Sequence, residues 1–88
     1  MWRPGRLSGD PDYDLHDELW TADGRCVAVV ESFVTNPVAI YANALTPAGE
    51  HLRYGCGLDL AVVRDWCERV TGLKPDRPIV QRCLAARL

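Results

Sequence analysis

The chain has 88 residues, enough for one small domain that buries only about 60% of the surface its unfolded form exposes. Apolar residues make up 48% and charged residues 25% of the composition, which is typical of a globular protein. The net charge of −2 is unevenly spread, because residues 1–50 carry eight acids and three bases and residues 51–88 carry four acids and seven bases. Neither half has the strong basic excess typical of nucleic-acid binders.

Targeting signals are not evident in the sequence. No segment is long and apolar enough to span a membrane. Arg3 and Arg6 are not followed by an apolar segment, so a secretory signal peptide is not expected. We therefore expect a cytoplasmic protein with reduced thiols and no membrane association.

Residues 1–14 contain prolines and glycines among polar residues without periodicity, which predicts an N-terminal arm. Acidic residues are densest within and just after this arm: Asp10, Asp12, Asp14, Asp17 and Glu18. Such a cluster is either a solvated, self-repelling segment or a patch that docks on a basic surface of another macromolecule. Trp2 and Tyr13 could anchor that contact, or they could fold back on the domain.

A first β-hairpin is predicted around Asp23-Gly24, a typical two-residue turn. Its strands cover residues 15–22 and 25–35, and the second is rich in valine. The turn predicts two cross-strand pairs on one face, Trp20 with Val27 and Glu18 with Val29. Phe33 continues that face along the second strand. The other face also carries apolar residues. This pattern differs from the alternation of apolar and polar residues that is typical of a sheet covered on one side only.

A second hairpin is predicted around the turn at residues 46–50, which contains Pro47 and Gly49. Apolar residues alternate along both of its strands, which indicates that one face is buried. The inward set comprises Val38, Ile40, Ala42, Ala44, Leu52, Tyr54 and Cys56. An alternative is a short helix opened by Asn36-Pro37 and running to Leu45.

Two helices are predicted after the second hairpin. The first begins after Asp59 as N-cap and ends before Gly72, and its apolar stripe comprises Leu60, Val63, Trp66, Cys67 and Val70. The second covers residues 78–88. The sequence therefore predicts an α+β fold for residues 15–88, a four-stranded antiparallel meander with two helices on one face (ββββαα).

Four cysteines stand at positions 26, 56, 67 and 83, and none is close enough in sequence to another to resemble a zinc site. We expect no metal, no cofactor and no catalytic set. Cys56 is the exception among the thiols, because Gly55 and Gly57 flank it just before a helix N-terminus, where the pKa of a thiol can fall. A thiol enzyme would need a base, and alternation directs His51 to the opposite face.

The outer sheet face, which the helices leave uncovered, is the predicted binding surface. Its expected residues are Trp20, Val27, Val29, Phe33, Tyr41 and Arg53, joined by the acidic cluster. Apolar and aromatic residues bordered by charge are typical of an interface with another protein or a second copy. The alternative is that the N-terminal arm, Trp2 included, covers this face.

A nucleic-acid-binding domain is a second hypothesis. It would use Arg53 with the basic residues toward the C-terminus: Lys74, Arg77, Arg82 and Arg87. The missing basic excess and the missing aromatic motif argue against it.

The meander followed by a tryptophan-containing helix, with Trp66 at its centre, resembles the MbtH-like proteins, small chaperones of nonribosomal peptide synthetases. Their Ser-Leu-Trp-Pro signature is absent, since Leu19-Trp20 is followed by Thr21, so no function is carried over. A short chain with an acidic cluster and no catalytic set is also the format of many phage and mobile-element inhibitors, anti-CRISPR proteins among them. The sequence thus favours a non-enzymatic protein-interaction module, an inhibitor or an adaptor.

Overall fold

The computed structural model describes residues 1–74, in which five strands precede one helix. The elements are β1 (Trp2–Pro4), β2 (Tyr13–Trp20), β3 (Cys26–Phe33), β4 (Asn36–Leu45), β5 (His51–Gly57) and α1 (Leu60–Val70). The strands form one antiparallel sheet in chain order, and α1 packs across β3, β4 and β5. The α+β class and the meander are confirmed. The predicted second helix, over residues 78–88, lies outside the described residues.

The sheet has five strands instead of the predicted four, because the N-terminal arm contains β1. Trp2, Arg3 and Pro4 pair with Leu19, Glu18 and Asp17 of β2. The terminal ammonium of Met1 also donates to the Trp20 carbonyl at 2.9 Å. A three-residue strand is too short to show a period of two, so the sequence pattern could not reveal it.

The turn of the first hairpin is longer than predicted. The Thr21 N–H donates to the Arg25 carbonyl, which leaves a three-residue loop in which Gly24 has φ of +86°. Trp20 therefore pairs with Cys26, and the predicted Trp20–Val27 pair is wrong. A β-bulge then leaves Val27 without a partner and shifts the register back by one residue. The predicted Glu18–Val29 pair is therefore present.

Residues 36–45 form a strand, so the alternative of a short helix opened by Asn36-Pro37 is wrong. β3 and β4 are joined by Val34 and Thr35 alone, and Phe33 pairs with Asn36. The register then shifts before Tyr41 pairs with Glu31, so Val38 is exposed and Ala39 is buried. The pairing with β3 and β5 supplies hydrogen bonds on both sides of β4, which outweighs the local helix signal.

The predicted turn at residues 46–50 and the predicted helix are present. Gly49 has φ of +89°, and its N–H donates to the Thr46 carbonyl at 2.9 Å. Asp59 caps α1 by accepting from the Ala61 N–H at 2.9 Å. Gly72, with φ of +79°, ends the helix and donates to the Arg69 carbonyl.

The core lies between α1 and the sheet face beneath it. The buried members are Leu19, Ala28, Val30, Ile40, Ala42, Ala44, Val63 and Cys67. Three alanines in this set let the helix approach closely. Gly57 does the same, since a Cβ there would lie 2.4 Å from a methyl carbon of Val63. The helix therefore covers the part of this face that β3, β4 and β5 form.

Candidate interaction surface on the outer face of the sheet

The outer face is the sheet face opposite α1. Leu19 and Val30 belong to the core with Val63 of α1, so the alternate residues of β2 and β3 point the other way. Cross-strand partners share a face, which extends this surface from β2 to β5. Its residues include His16, Glu18, Trp20, Val29, Glu31, Phe33, Tyr41, Asn43 and Arg53.

Four rings form a continuous aromatic row across β2, β3 and β4: Tyr13, His16, Phe33 and Tyr41. The Tyr13 ring centroid lies 5.5 Å from that of His16 and 5.0 Å from that of Phe33. The centroids of Phe33 and Tyr41 are 6.2 Å apart. The two tyrosines and the phenylalanine are only half-buried, so the row presents apolar area to its surroundings.

Trp20 lies near the other end of the outer face, in contact with charged side chains. The Arg3 guanidinium lies 3.9 Å from the centroid of its ring, and the indole N–H donates to Glu18 at 3.0 Å. Arg3 pairs with Glu18 in the β1–β2 register, so the three side chains occupy one corner of the sheet. These contacts hold the Trp20 ring in a fixed orientation while leaving it half-buried.

Two shallow grooves lie between this corner and β5. One has a volume of about 310 Å³ and is lined by residues that include Val29, Asn43, Leu45 and His51. The second has a volume of about 420 Å³, and its lining includes Glu31, Phe33, Tyr41, Asn43, Arg53 and Gly55. Asn43 lines both grooves, so together they form one concave stretch of mixed apolar and polar character.

The predicted acidic cluster is divided between two sides of the sheet. Asp17 points toward α1 and forms an ion pair with Arg64, because β2 alternates. Asp10 and Asp12 lie beside the aromatic row, since their carbonyls accept from the N–H groups of Tyr13 and Val34. Asp14 is exposed at a register shift of β2 next to Tyr13. Asp17 is therefore not available to a partner on the outer face.

Among the described residues, negative charge nevertheless predominates on this side of the sheet. Glu18 and Glu31 lie on the outer face itself, and Asp10, Asp12 and Asp14 border it. The bases of the same surface are Arg3, which contacts Trp20, and Arg53. Residues 1–74 as a whole carry eleven acids and seven bases.

Val27 was predicted to lie on the outer face, but it does not lie there. The bulge between the Trp20–Cys26 and Leu19–Ala28 pairs turns its side chain toward the core cluster, against which it packs. Nothing in the local sequence marks this bulge. The other predicted apolar residues of the surface, Trp20, Val29, Phe33 and Tyr41, share the outer face.

Trp2 does not cover the outer face. Its indole N–H donates to Glu68 of α1 at 2.9 Å, and the Arg64 guanidinium lies 5.2 Å from its ring centroid. The arm does cover one end of the aromatic row, because Gly5 packs against the His16 ring, where a Cβ would lie 2.2 Å from Nδ1. His16 is consequently buried, and its Nε2 lies 3.9 Å from Glu31.

The thiols have contrasting environments. Cys67 is fully buried, which raises its pKa to about 12, and burial also raises the pKa of Cys26. Cys56 was predicted to point inward, but its φ of +60° and the register shift between β4 and β5 break the alternation of the strand. It is exposed, and its Sγ donates to the Tyr41 hydroxyl at 3.7 Å. This bond raises the pKa of Tyr41. Within residues 1–74, neither His16 nor His51 forms a hydrogen bond with Cys56.

Candidate metal ligands and basic side chains are dispersed over residues 1–74. No group of three histidine, cysteine or acidic side chains is placed to hold a metal ion there. Lys74 forms ion pairs with Asp65 at 2.7 Å and Glu68 at 3.6 Å. Arg53 is then left as a single basic residue among acids on the β5 side of the outer face, and Arg77, Arg82 and Arg87 lie outside the described residues.

Sequence reasoning missed His16 and Glu31 as members of this surface. The predicted pair of Glu18 with Val29, continued by two residues along each strand, already places His16 opposite Glu31, as the structure does. Comparisons of the chain with protein-family models, curated proteins and solved structures found no match. Within residues 1–74, α1 is too short and too polar to cross a bilayer.

Proposed function

We propose that this chain is a non-enzymatic interaction module that binds another protein through the outer face of its sheet. The observation that carries the proposal is the aromatic row, whose rings contact one another and of which Tyr13, Phe33 and Tyr41 remain half-buried on the face opposite α1. Aromatic residues are enriched at protein interfaces because they bury large areas at a low cost in conformational entropy. An inhibitor or adaptor of this size needs no more than such a surface.

The charge of the surroundings favours a basic partner. Glu18, Glu31 and the three bordering aspartates would meet lysine or arginine side chains, which would speed the encounter at low salt. The grooves beside the aromatic row would receive apolar side chains of the same partner. The expected ligand is therefore a protein segment with apolar or aromatic residues between basic ones.

The same charges argue against nucleic acid as the ligand. Aromatic rings on a sheet can stack on bases, but a backbone of phosphates would approach Glu18, Glu31 and Asp14 with Arg53 as the main counter-charge on that side. Retention on single-stranded DNA or RNA at low salt, lost on raising the salt concentration, would favour nucleic acid over the proposal.

The test compares the wild-type chain with surface variants in affinity capture from the source cell, followed by titration of the purified partner. Phe33→Ser and Tyr41→Ser remove two rings of the row. Val62→Ser is the matched control, because Val62 is 53% exposed on α1, on the opposite side of the sheet. We expect each ring variant to weaken binding by about tenfold or more and the control to bind as the wild type does.

Two results would count against the proposal. One is a partner whose affinity is unchanged in both ring variants. The other is a partner whose affinity falls in Val62→Ser, which would place the interface on α1. A rise in Kd with salt concentration is expected in addition, since the acidic border is exposed.

A further inference from the structure

The two edges of the sheet are built differently. β1 has three residues, and Pro4 at its end cannot donate a backbone hydrogen bond. β5 has seven residues without proline or lysine, and in the described part of the chain it pairs with β4 alone. Its regular part runs from His51 to Gly55, because Cys56 has φ of +60° where the register with β4 shifts. His51, Leu52, Arg53, Gly55 and Cys56 are exposed along it. A long, exposed edge of this kind is a template for pairing with another strand.

The residues of β5 restrict how two copies of this strand could pair. Antiparallel pairing around a two-fold axis perpendicular to the sheet keeps each face continuous only when residues of equal parity lie opposite each other. An axis at Arg53 would place two arginines opposite each other, and an axis at Leu52 would place Arg53 opposite His51. An axis at Tyr54 instead places Arg53 opposite Gly55, so no two basic side chains meet.

The outer face accommodates Arg53 of a second copy in that register. Open space surrounds the position where a Cβ of Gly55 would lie. Beyond Gly55 lies Tyr41, which pairs with Glu31 of β3. A guanidinium that enters over Gly55 would therefore meet an aromatic ring and then a carboxylate, both of which attract it.

We infer that β5 pairs with β5 of a second copy, antiparallel about Tyr54, to form a ten-stranded sheet. The two outer faces then lie side by side on one surface, with Arg53 of each copy over Gly55 of the other. Pairing of a single seven-residue strand buries less than a standard interface, so the dimer dissociates readily and its population depends on concentration. This inference goes beyond the proposed function, because the edge and the outer face are different surfaces.

Sedimentation equilibrium of the full chain over a wide range of concentration tests the inference. Gly55→Glu places a carboxylate opposite Arg53 of the other copy and should lower the dimer Kd. Gly55→Arg should raise it. Since each interface contains the pair twice, we expect a change of about two- to thirtyfold in each direction. Arg53→Glu combined with Gly55→Arg places opposite charges face to face in the reverse order, so it should lower the dimer Kd as Gly55→Glu does.

Arg6→Glu is the control, because Arg6 is exposed and lies outside β5. A wild-type chain that stays monomeric at millimolar concentration would overturn the inference. Equal Kd values for the two Gly55 variants would also overturn it, since the register about Tyr54 would then be wrong. A dimer that is lost in Phe33→Ser but is insensitive to charge at position 55 would place self-association on the outer face. The edge-pairing inference and the proposed function of the outer face can therefore fail separately.

Discussion

Both faces of the sheet carry apolar residues, but only one of them is covered by the helix. On the α1 side, small residues such as Ala28, Ala42 and Ala44 let the helix approach until Val63 and Cys67 are fully buried. On the outer side, Trp20, Phe33 and Tyr41 are large and stay half-buried. A single short helix can cover only one face, and it covers the face whose side chains are both small and apolar.

This difference shows how one period-two pattern serves two purposes. Small side chains favour packing of secondary structure inside the molecule, whereas rigid rings in contact with one another suit contact with a separate molecule. The comparison leads to four predictions, in order of decreasing effect.

The largest expected difference is in thiol reactivity. Cys67 is completely buried with its pKa raised to about 12, whereas Cys56 is exposed on the other side of the sheet. Cys67 should react with a thiol reagent only when the domain opens, about a thousandfold more slowly than Cys56. Mass spectrometry of timed labelling at pH 8 would measure both rates. Comparable rates would mean that the α1 face is not closed.

Two adjacent valines of β3 provide a matched test of the faces. Val30 is 0% exposed under α1, and Val29 is half-buried on the outer face. Val30→Ala should lower the free energy of unfolding by about 2–3 kcal/mol, and Val29→Ala by less than about 1 kcal/mol. Urea denaturation measures both values. Equal losses of unfolding free energy would indicate that another segment of the same chain covers the outer face.

Two glycines of β5 differ in the same way. A Cβ at Gly57 would lie 2.4 Å from Val63, whereas Gly55 has nothing within 4 Å. Gly57→Ala should therefore destabilise the domain by about 1–3 kcal/mol through overpacking. Gly55→Ala should leave the melting temperature close to that of the wild type, and calorimetry would check both. A stable Gly57→Ala variant would show that α1 can move away from the sheet.

The smallest effect concerns charge on the solvent side of α1. Arg69, and then Lys74, hold the pKa of Asp65 below its usual value of 3.8. The ionised carboxylate is therefore favoured by folding, and its contribution is present above pH 4 and lost as the pH falls further. Asp65→Asn should cost less than about 1 kcal/mol at pH 6, because the side chain is 37% exposed, and almost nothing at pH 2.5. Urea unfolding at the two pH values measures the difference, and a constant difference would be inconsistent with the ion pairs.

Much of the fold could be predicted because period-two and helical patterns are strong over β2 to α1. The caps at Asp59 and Gly72 and the turn at Gly49 follow from residue chemistry. β1 could not be predicted, since three residues carry no period. The turn at Val34 and Thr35 contains no typical turn residue, and its position depends on the pairing of Phe33 with Asn36.

The candidate site was predicted in part, because the period-two pattern of the strands indicates which residues share a face. Alternation correctly places Trp20, Phe33 and Tyr41 on one face, although the predicted turn length was wrong. A longer loop and the bulge at Val27 shift the register in opposite directions and cancel by Val29. Neither the bulge nor the ion pair of Asp17 with Arg64 has a local sequence signal, because both arise from the packing of distant segments.

Site-specific photo-crosslinking in the source cell tests the central hypothesis most directly. A photoreactive amino acid would replace Phe33 on the outer face in one variant and Val62 on α1 in another. We predict a protein adduct from position 33 and none from position 62, with the crosslinked partner peptide containing apolar residues beside lysine or arginine. An adduct from position 62 alone, or none from position 33 while the chain is still captured with its partner, would contradict the assignment of the outer face as the binding surface.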